Sequence, residues 1–123
     1  MTETLDAAAN AAAVAAEPAI RSCCLTVSYE GRPAVRDVDL EVASGRVTAV
    51  IGPSGCGKSS FLASLNRMTD LTPGCAVTGS ARVAGHDVFE RSCDPVTLRR
   101  DVGMIFQKPN PFATSILKNL TMP

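Results

Sequence analysis

The sequence predicts an α/β fold in which a glycine-rich loop joins a buried strand to an amphipathic helix. Three observations predict it. "RVTAVI" (46–51) is apolar nearly throughout, as a strand covered on both faces must be. It runs straight into "GPSGCGKS" (52–59), after which Phe61, Leu62, Leu65 and Met68 recur at helical spacing. Ahead of it lie two segments that alternate apolar and polar residues, the pattern of antiparallel strands with one wet face.

Residues 1–19, "MTETLDAAANAAAVAAEPA", differ in composition from everything after them. The alanine run is short, follows acidic rather than basic residues and closes at Glu17-Pro18, so it reads as a frayed or disordered lead and not as a secretory signal. The folded unit is expected over 20–123. Leu25, Val27 and Tyr29 alternate with Cys24, Thr26 and Ser28 as a first strand, and "EGRP" (30–33) turns the chain. Val38, Leu40 and Val42 make a second strand, and Ser44-Gly45 leads into 46–51. The helix after the glycine loop ends before "TPG" (72–74). A short β segment with an internal glycine turn is expected over 79–89. Asp94-Pro95 has the form of an N-cap with proline at the first helical position, opening a helix through Arg100. "VGMIFQ" (102–107) predicts another apolar strand, and "TSILKNL" (114–120) a helix on a Thr or Ser cap.

Composition narrows the function. Twelve basic residues balance twelve acidic ones, so no overall field draws in nucleic acid or anionic lipid. No segment approaches the ~20 apolar residues of a membrane span. The five cysteines (23, 24, 56, 75, 93) include no CxxC pair, which argues against a disulfide framework and a zinc site and for free thiols in a reducing compartment. His86, the single histidine, reads as solvated, and Arg99-Arg100 as an exposed helix face.

The chemistry sits in the loop. Gly52, Pro53, Ser54, Gly55, Cys56, Gly57, Lys58 and Ser59 fit G-x-x-x-x-G-K-S/T at every fixed position, between a predicted strand and a predicted helix. Its glycines let successive amides point inward at phosphate oxygens, and the following helix adds its positive end. Lys58 supplies a mobile ammonium for the β- and γ-phosphates, and the Ser59 hydroxyl is the expected Mg²⁺ ligand. The anion is a nucleoside triphosphate. Cys56 lies inside the loop, where oxidation or alkylation would block it.

The wider neighbourhood, "GRPAVRDVDLEVASGRVTAVIGPSGCGKSSFLASLNRM", resembles the ATP-binding subunits of ABC transporters. "LNRMTDLTPGCAVTGSARVAGHDV" with "LRRDVGMIFQKPNPFATSILKNL" is similar to the subgroup that powers phosphate import. That resemblance implies a P-loop ATPase core with an antiparallel β wing, incomplete here, binding ATP and Mg²⁺. It implies that Tyr29 stacks on adenine, that Ser60, where threonine is usual, bonds phosphate, and that Gln107 positions Mg²⁺ and the attacking water. It implies a homodimer of ATPase subunits, held peripherally at the cytoplasmic face of the membrane by permease subunits. Lys108, Pro109, Asn110, Pro111 and Phe112 would belong to the docking surface, unless Phe112 tucks into the core. Ala113 departs from the proline common in the subgroup.

The family also carries a "LSGGQ" signature, a strand ending in Asp-Glu and a switch histidine, none of which occurs in these residues. The expectation is therefore an N-terminal part of an ATPase with little turnover alone. A non-catalytic nucleotide-binding or interaction module is the alternative; a small kinase is a weaker one, since nothing resembles a second-substrate site. A reading frame beyond Pro123 that encodes Ser-Gly-Gly-Gln and an apolar–Asp–Glu stretch would favour the ATPase.

Overall fold

The computed structural model describes residues 17–122; the predicted lead lies outside the described residues up to position 16. Its centre is a four-stranded antiparallel sheet in the order β2-β1-β3-β4. The strands are β1 (Ile20–Tyr29), β2 (Arg32–Val42), β3 (Cys75–Val83) and β4 (His86–Asp87). Helices α1 (Lys58–Leu65), α2 (Pro95–Asp101) and α3 (Ile116–Thr121) complete it, with a 3-10 turn at Met68–Leu71.

β1 and β2 are joined by the two-residue loop Glu30-Gly31, both at positive φ (49° and 77°), the turn whose twist suits a hairpin. Glu30 N–H donates to the Gly74 carbonyl at 2.8 Å, tying this turn to the start of β3. The alternation that predicts β1 holds from Leu25 to Tyr29. Upstream it slips: Ser22 and Leu25 are both buried, while Cys23 and Cys24 between them face out. One extra residue sits there, with Cys24 at φ 48°, and the ladders to β2 and β3 both shift at this point. It is a β-bulge.

β3 begins four residues before the predicted segment. Gly79 reads as a boundary in the sequence, but it is internal, at φ +90° opposite the bulge. A Cβ there would lie 2.3 Å from the Cys24 carbonyl oxygen and 2.7 Å from that of Cys23. Only glycine admits the bulge.

The buried core joins one face of the sheet to the two longer helices. Leu25, Val27 and Val83 meet Phe61 and Leu65 of α1 and Leu98 of α2. Leu62, expected on the apolar stripe, is exposed, because α1 spans only two turns and presents a narrow face. Arg99 is half-buried rather than exposed; its guanidinium donates to the carbonyls of Asn66 (3.1 Å) and Arg67 (2.7 Å), just past the end of α1. His86, expected to be solvated, shares a 2.7 Å hydrogen bond with the Asp101 carboxylate at the end of α2.

α2 starts as predicted. The Asp94 carboxylate accepts from the backbone N–H of Thr97 at 2.9 Å and from its hydroxyl at 2.8 Å. The backbone N–H of Thr97, then its side chain, hold the Asp94 carboxyl below the ordinary 3.8. A depressed folded-state pKa contributes stability that is complete above the unfolded value and is lost as pH falls through the folded one. The first turn of α2 is therefore expected to loosen only on acidification below about pH 4. Following Thr97 amide exchange between pH 5 and 2 checks this; Asp94→Asn, which keeps a capping oxygen, should flatten the profile, and an unchanged profile in that variant refutes the assignment.

Two predicted strands are not strands. Residues 46–51 and 102–107 form no ladder among the described residues. Val47 is 102% exposed, Ile51 89% and Ile105 99%. Apolar runs of this kind become strands only when neighbours take up their amides and carbonyls, and every ladder among the described residues runs between β1, β2, β3 and β4, none of them to these segments. The α/β arrangement is present as an antiparallel sheet with α1 and α2 packed on one face, and 46–51 and 102–107 lie outside any sheet among the described residues.

Candidate functional site

The glycine loop leaves the 47–51 segment and enters α1 against the back of β2. Gly57, the N-cap of α1, has φ +96°, and a Cβ there would come within 2.4 Å of the Ala34 carbonyl oxygen and 2.7 Å of Val35 Cγ2. So the loop's last glycine is pressed onto β2, which fixes where the helix begins. Register places this contact close to Tyr29: Val27 pairs with Val35 and Tyr29 with Arg32.

No side chain caps α1, and its first turn contains no acidic residue. The first amides of an α-helix have no partner within the helix, and the helix dipole lies behind them, an arrangement suited to a phosphate. Lys58 Nζ donates to the carbonyls of Gly52 (2.8 Å) and Pro53 (2.6 Å), closing the loop across its mouth. An ammonium has three donors. The remaining one faces Cys56 Sγ at 3.6 Å, a weak acceptor that a phosphate oxygen outcompetes. A Cβ on Gly52 would come within 2.9 Å of the same sulfur. The loop therefore has the donors, charge and close backbone approach that a polyphosphate requires.

Of the predicted site residues, the structure brings Gly52, Pro53, Ser54, Gly55, Cys56, Gly57, Lys58, Ser59 and Ser60 into one curl. Ser59, first-turn neighbour of Lys58, is exposed and Ser60 half-buried. An open groove of about 410 Å³ runs beside the curl, lined among others by Val35, Val38, Leu40, Ile51, Lys58 and Phe61. Tyr29 is half-buried at the end of β1 with its ring against the core, so core packing accounts for part of its environment. Gln107 is exposed and does not line this groove; the segment carrying it, 102–107, is not seated in a sheet that would aim it.

Past Gln107 the chain folds on Asn119. Its Oδ1 accepts from Phe112 N–H at 2.9 Å, and its Nδ2 donates to the carbonyls of Phe112, Thr114 and Ser115. Ser115 caps α3 by accepting from Lys118 N–H. Phe112 is 68% exposed, which decides against the alternative that it tucks into the core. Ile116, Leu117 and Leu120 are exposed beside it. Among the described residues, no helix is long and apolar enough to cross a membrane.

One grouping escapes sequence reasoning: Cys23, Cys24 and Asp39 converge at the β1 bulge. Spacing offers no hint of it, since adjacent residues of a regular strand face opposite ways; the signal was Gly79, a glycine inside an otherwise regular strand.

The family described as "ABC transporter" matches residues 35–121. Relatives include the phosphate import ATP-binding protein PstB of Synechococcus sp. (strain CC9902), 51% identical over 96 residues, and PstB 1 of Vibrio vulnificus (strain YJ016), 52% identical over 96 residues. PstB 1 of Vibrio parahaemolyticus serotype O3:K6 is 51% identical over the same length. Each alignment covers 78% of this chain and 35% of the relative, so the chain spans about a third of the length of the relatives it matches.

Proposed function

The chain belongs to the ABC transporter family, and on that premise we propose that it binds Mg-ATP as part of the energy-coupling subunit of an importer for inorganic phosphate. The observation that carries the proposal is the loop: an uncapped helix start pressed onto β2 through Gly57, with Lys58 drawn over its mouth. Residues 20–123 act as one nucleotide-binding unit.

In this reading the amides from Gly55 to Ser59 hold the β- and γ-phosphates, and the dipole of α1 stabilises their charge. Lys58 keeps its two loop carbonyls and turns the donor that faces Cys56 to the phosphate. The Ser60 hydroxyl adds a hydrogen bond, and the ring of Tyr29 offers its face to adenine. Ser59 and Gln107 would hold Mg²⁺, which would offset the negative charge of the phosphates. Gln107 reaches it only when 102–107 is ordered beside 46–51. The apolar residues around Phe112 supply the docking surface for permease subunits. In this reading the unit works peripherally, on the cytoplasmic face of the membrane, beside a second ATPase copy.

The choice of phosphate as cargo is supported by the likeness to the phosphate import proteins, since no group in the loop meets the transported ion. The exposure of Phe112, Ile116, Leu117 and Leu120 favours, as a second reading, a module that docks without hydrolysing. Both readings expect the 123-residue chain to bind ATP. They also expect phosphate release from Mg-ATP at the level of a Lys58→Ala control, since these residues offer no carboxylate pair to polarise water. Saturable binding of labelled ATP tests the nucleotide assignment; turnover well above the control would overturn the expectation of a binding-only unit.

A further inference from the structure

We propose that Cys23, Cys24 and Asp39 form a surface site for a thiophilic divalent cation of the zinc class, built by the bulge in β1. The geometry comes first. In a regular strand the two cysteines would point to opposite faces. The extra residue at Cys24 turns both thiols outward, where their sulfurs lie 3.9 Å apart. Two thiolates on a tetrahedral zinc ion, with Zn–S near 2.3 Å, stand about 3.8 Å apart. The pair is thus already spaced as two corners of that tetrahedron.

Asp39 on β2 supplies the third corner. A carboxylate oxygen lies within 4.8 Å of both sulfurs, and a small rotation of an exposed side chain closes the remaining gap. Its Oδ1 accepts from Cys24 N–H at 2.6 Å, so the bulge that aims the thiols also orients the carboxylate, as supporting hydrogen bonds do at metal centres. Water completes the sphere, as in zinc sites with three protein ligands.

The bulge is specified rather than incidental. Gly79 on β3 is the residue facing it, and any side chain there would strike the Cys23 and Cys24 carbonyls. Bulges re-aim side chains where a sheet carries a site. On binding, both thiols form Zn–S bonds and their two protons pass to solvent, so charge and atoms balance. Cys56, Cys75 and Cys93 take no part.

The test uses the reduced 123-residue chain. Zn²⁺ titrated against a chromophoric chelator should bind at one equivalent, and Co²⁺ in its place should give a thiolate-to-metal charge-transfer band in the near ultraviolet. Cys23→Ser, Cys24→Ser and Asp39→Asn should each weaken Zn²⁺ binding at least about 10-fold. A second measurement needs no variant: Zn²⁺ should slow alkylation of Cys23 and Cys24, read by peptide mass, while leaving Cys56, Cys75 and Cys93 unchanged. Equal alkylation of all five cysteines with and without Zn²⁺ overturns the proposal. So does a charge-transfer band that survives in the Cys23→Ser/Cys24→Ser double variant, or a Cys23–Cys24 disulfide that persists in excess reductant.

Discussion

Gly57→Ala is expected to lower the unfolding free energy by at least about 3 kcal/mol and to abolish ATP binding at the same time. The added methyl meets two obstacles at once. Position 57 holds φ +96°, a conformation that L side chains rarely adopt, and the methyl would sit 2.4 Å from a backbone carbonyl of β2. Rotating a neighbouring side chain cannot relieve a clash with backbone, so either α1 lifts from β2 or the loop uncurls. Either movement breaks the first turn, where Phe61 N–H donates to the Gly57 carbonyl at 2.9 Å, and loosens Phe61 from the core. Gly55→Ala is the control. Its φ is similar (+80°) but nothing lies within 4 Å of the added Cβ, so it should cost only the backbone term, about 1 kcal/mol. Urea unfolding midpoints of the two variants decide the matter: equal midpoints would mean that contact with Ala34 and Val35 contributes nothing.

Lys58→Ala is expected to weaken ATP binding by about 10- to 100-fold or more, the worth of one to two charge-assisted hydrogen bonds, while leaving the urea midpoint close to that of the parent. The separation follows from exposure. The carbonyls of Gly52 and Pro53 that lose the ammonium belong to exposed residues, where water takes its place. The phosphate has no such replacement, because the amides of α1 alone provide no mobile full charge. Lys58→Arg should not restore binding: a planar guanidinium cannot meet two loop carbonyls and a phosphate from one point as a compact ammonium does. Calorimetric titration with Mg-ATP reads both variants. An unchanged dissociation constant in Lys58→Ala would remove the loop from the nucleotide site.

The two variants divide the loop's work. Gly57 sets the place of the helix start by steric contact; Lys58 supplies charge to what is held there. Gly79 in the middle of β3 repeats the first device, admitting a bulge in place of a helix cap. Each of these two glycines lies where a methyl would strike the backbone of another strand, so the sheet's irregularities are built into side-chain size.

Local chemistry was legible without coordinates. The glycine loop's placement before a helix, the Asp94-Pro95 cap, a Thr or Ser cap at 114–115 and the first two strands rest on interactions spanning a few residues, and those leave periods and capping residues in the sequence. The family was legible for the same reason, since its motifs are short and contiguous. What the sequence could not decide depended on distant partners. Residues 46–51 and 102–107 have the composition of central strands, yet composition states only that a segment should be covered, not that a neighbour is there to cover it. The orientation of Gln107 failed with its strand. Arg99 looked like a surface charge because its carbonyl partners lie 32 and 33 residues away. Cys23, Cys24 and Asp39 meet only because a glycine two strands from Asp39 leaves room for one extra residue. Backbone propensity is written residue by residue, whereas the pairing of strands and the direction of side chains across a bulge are settled by packing, which no single segment carries.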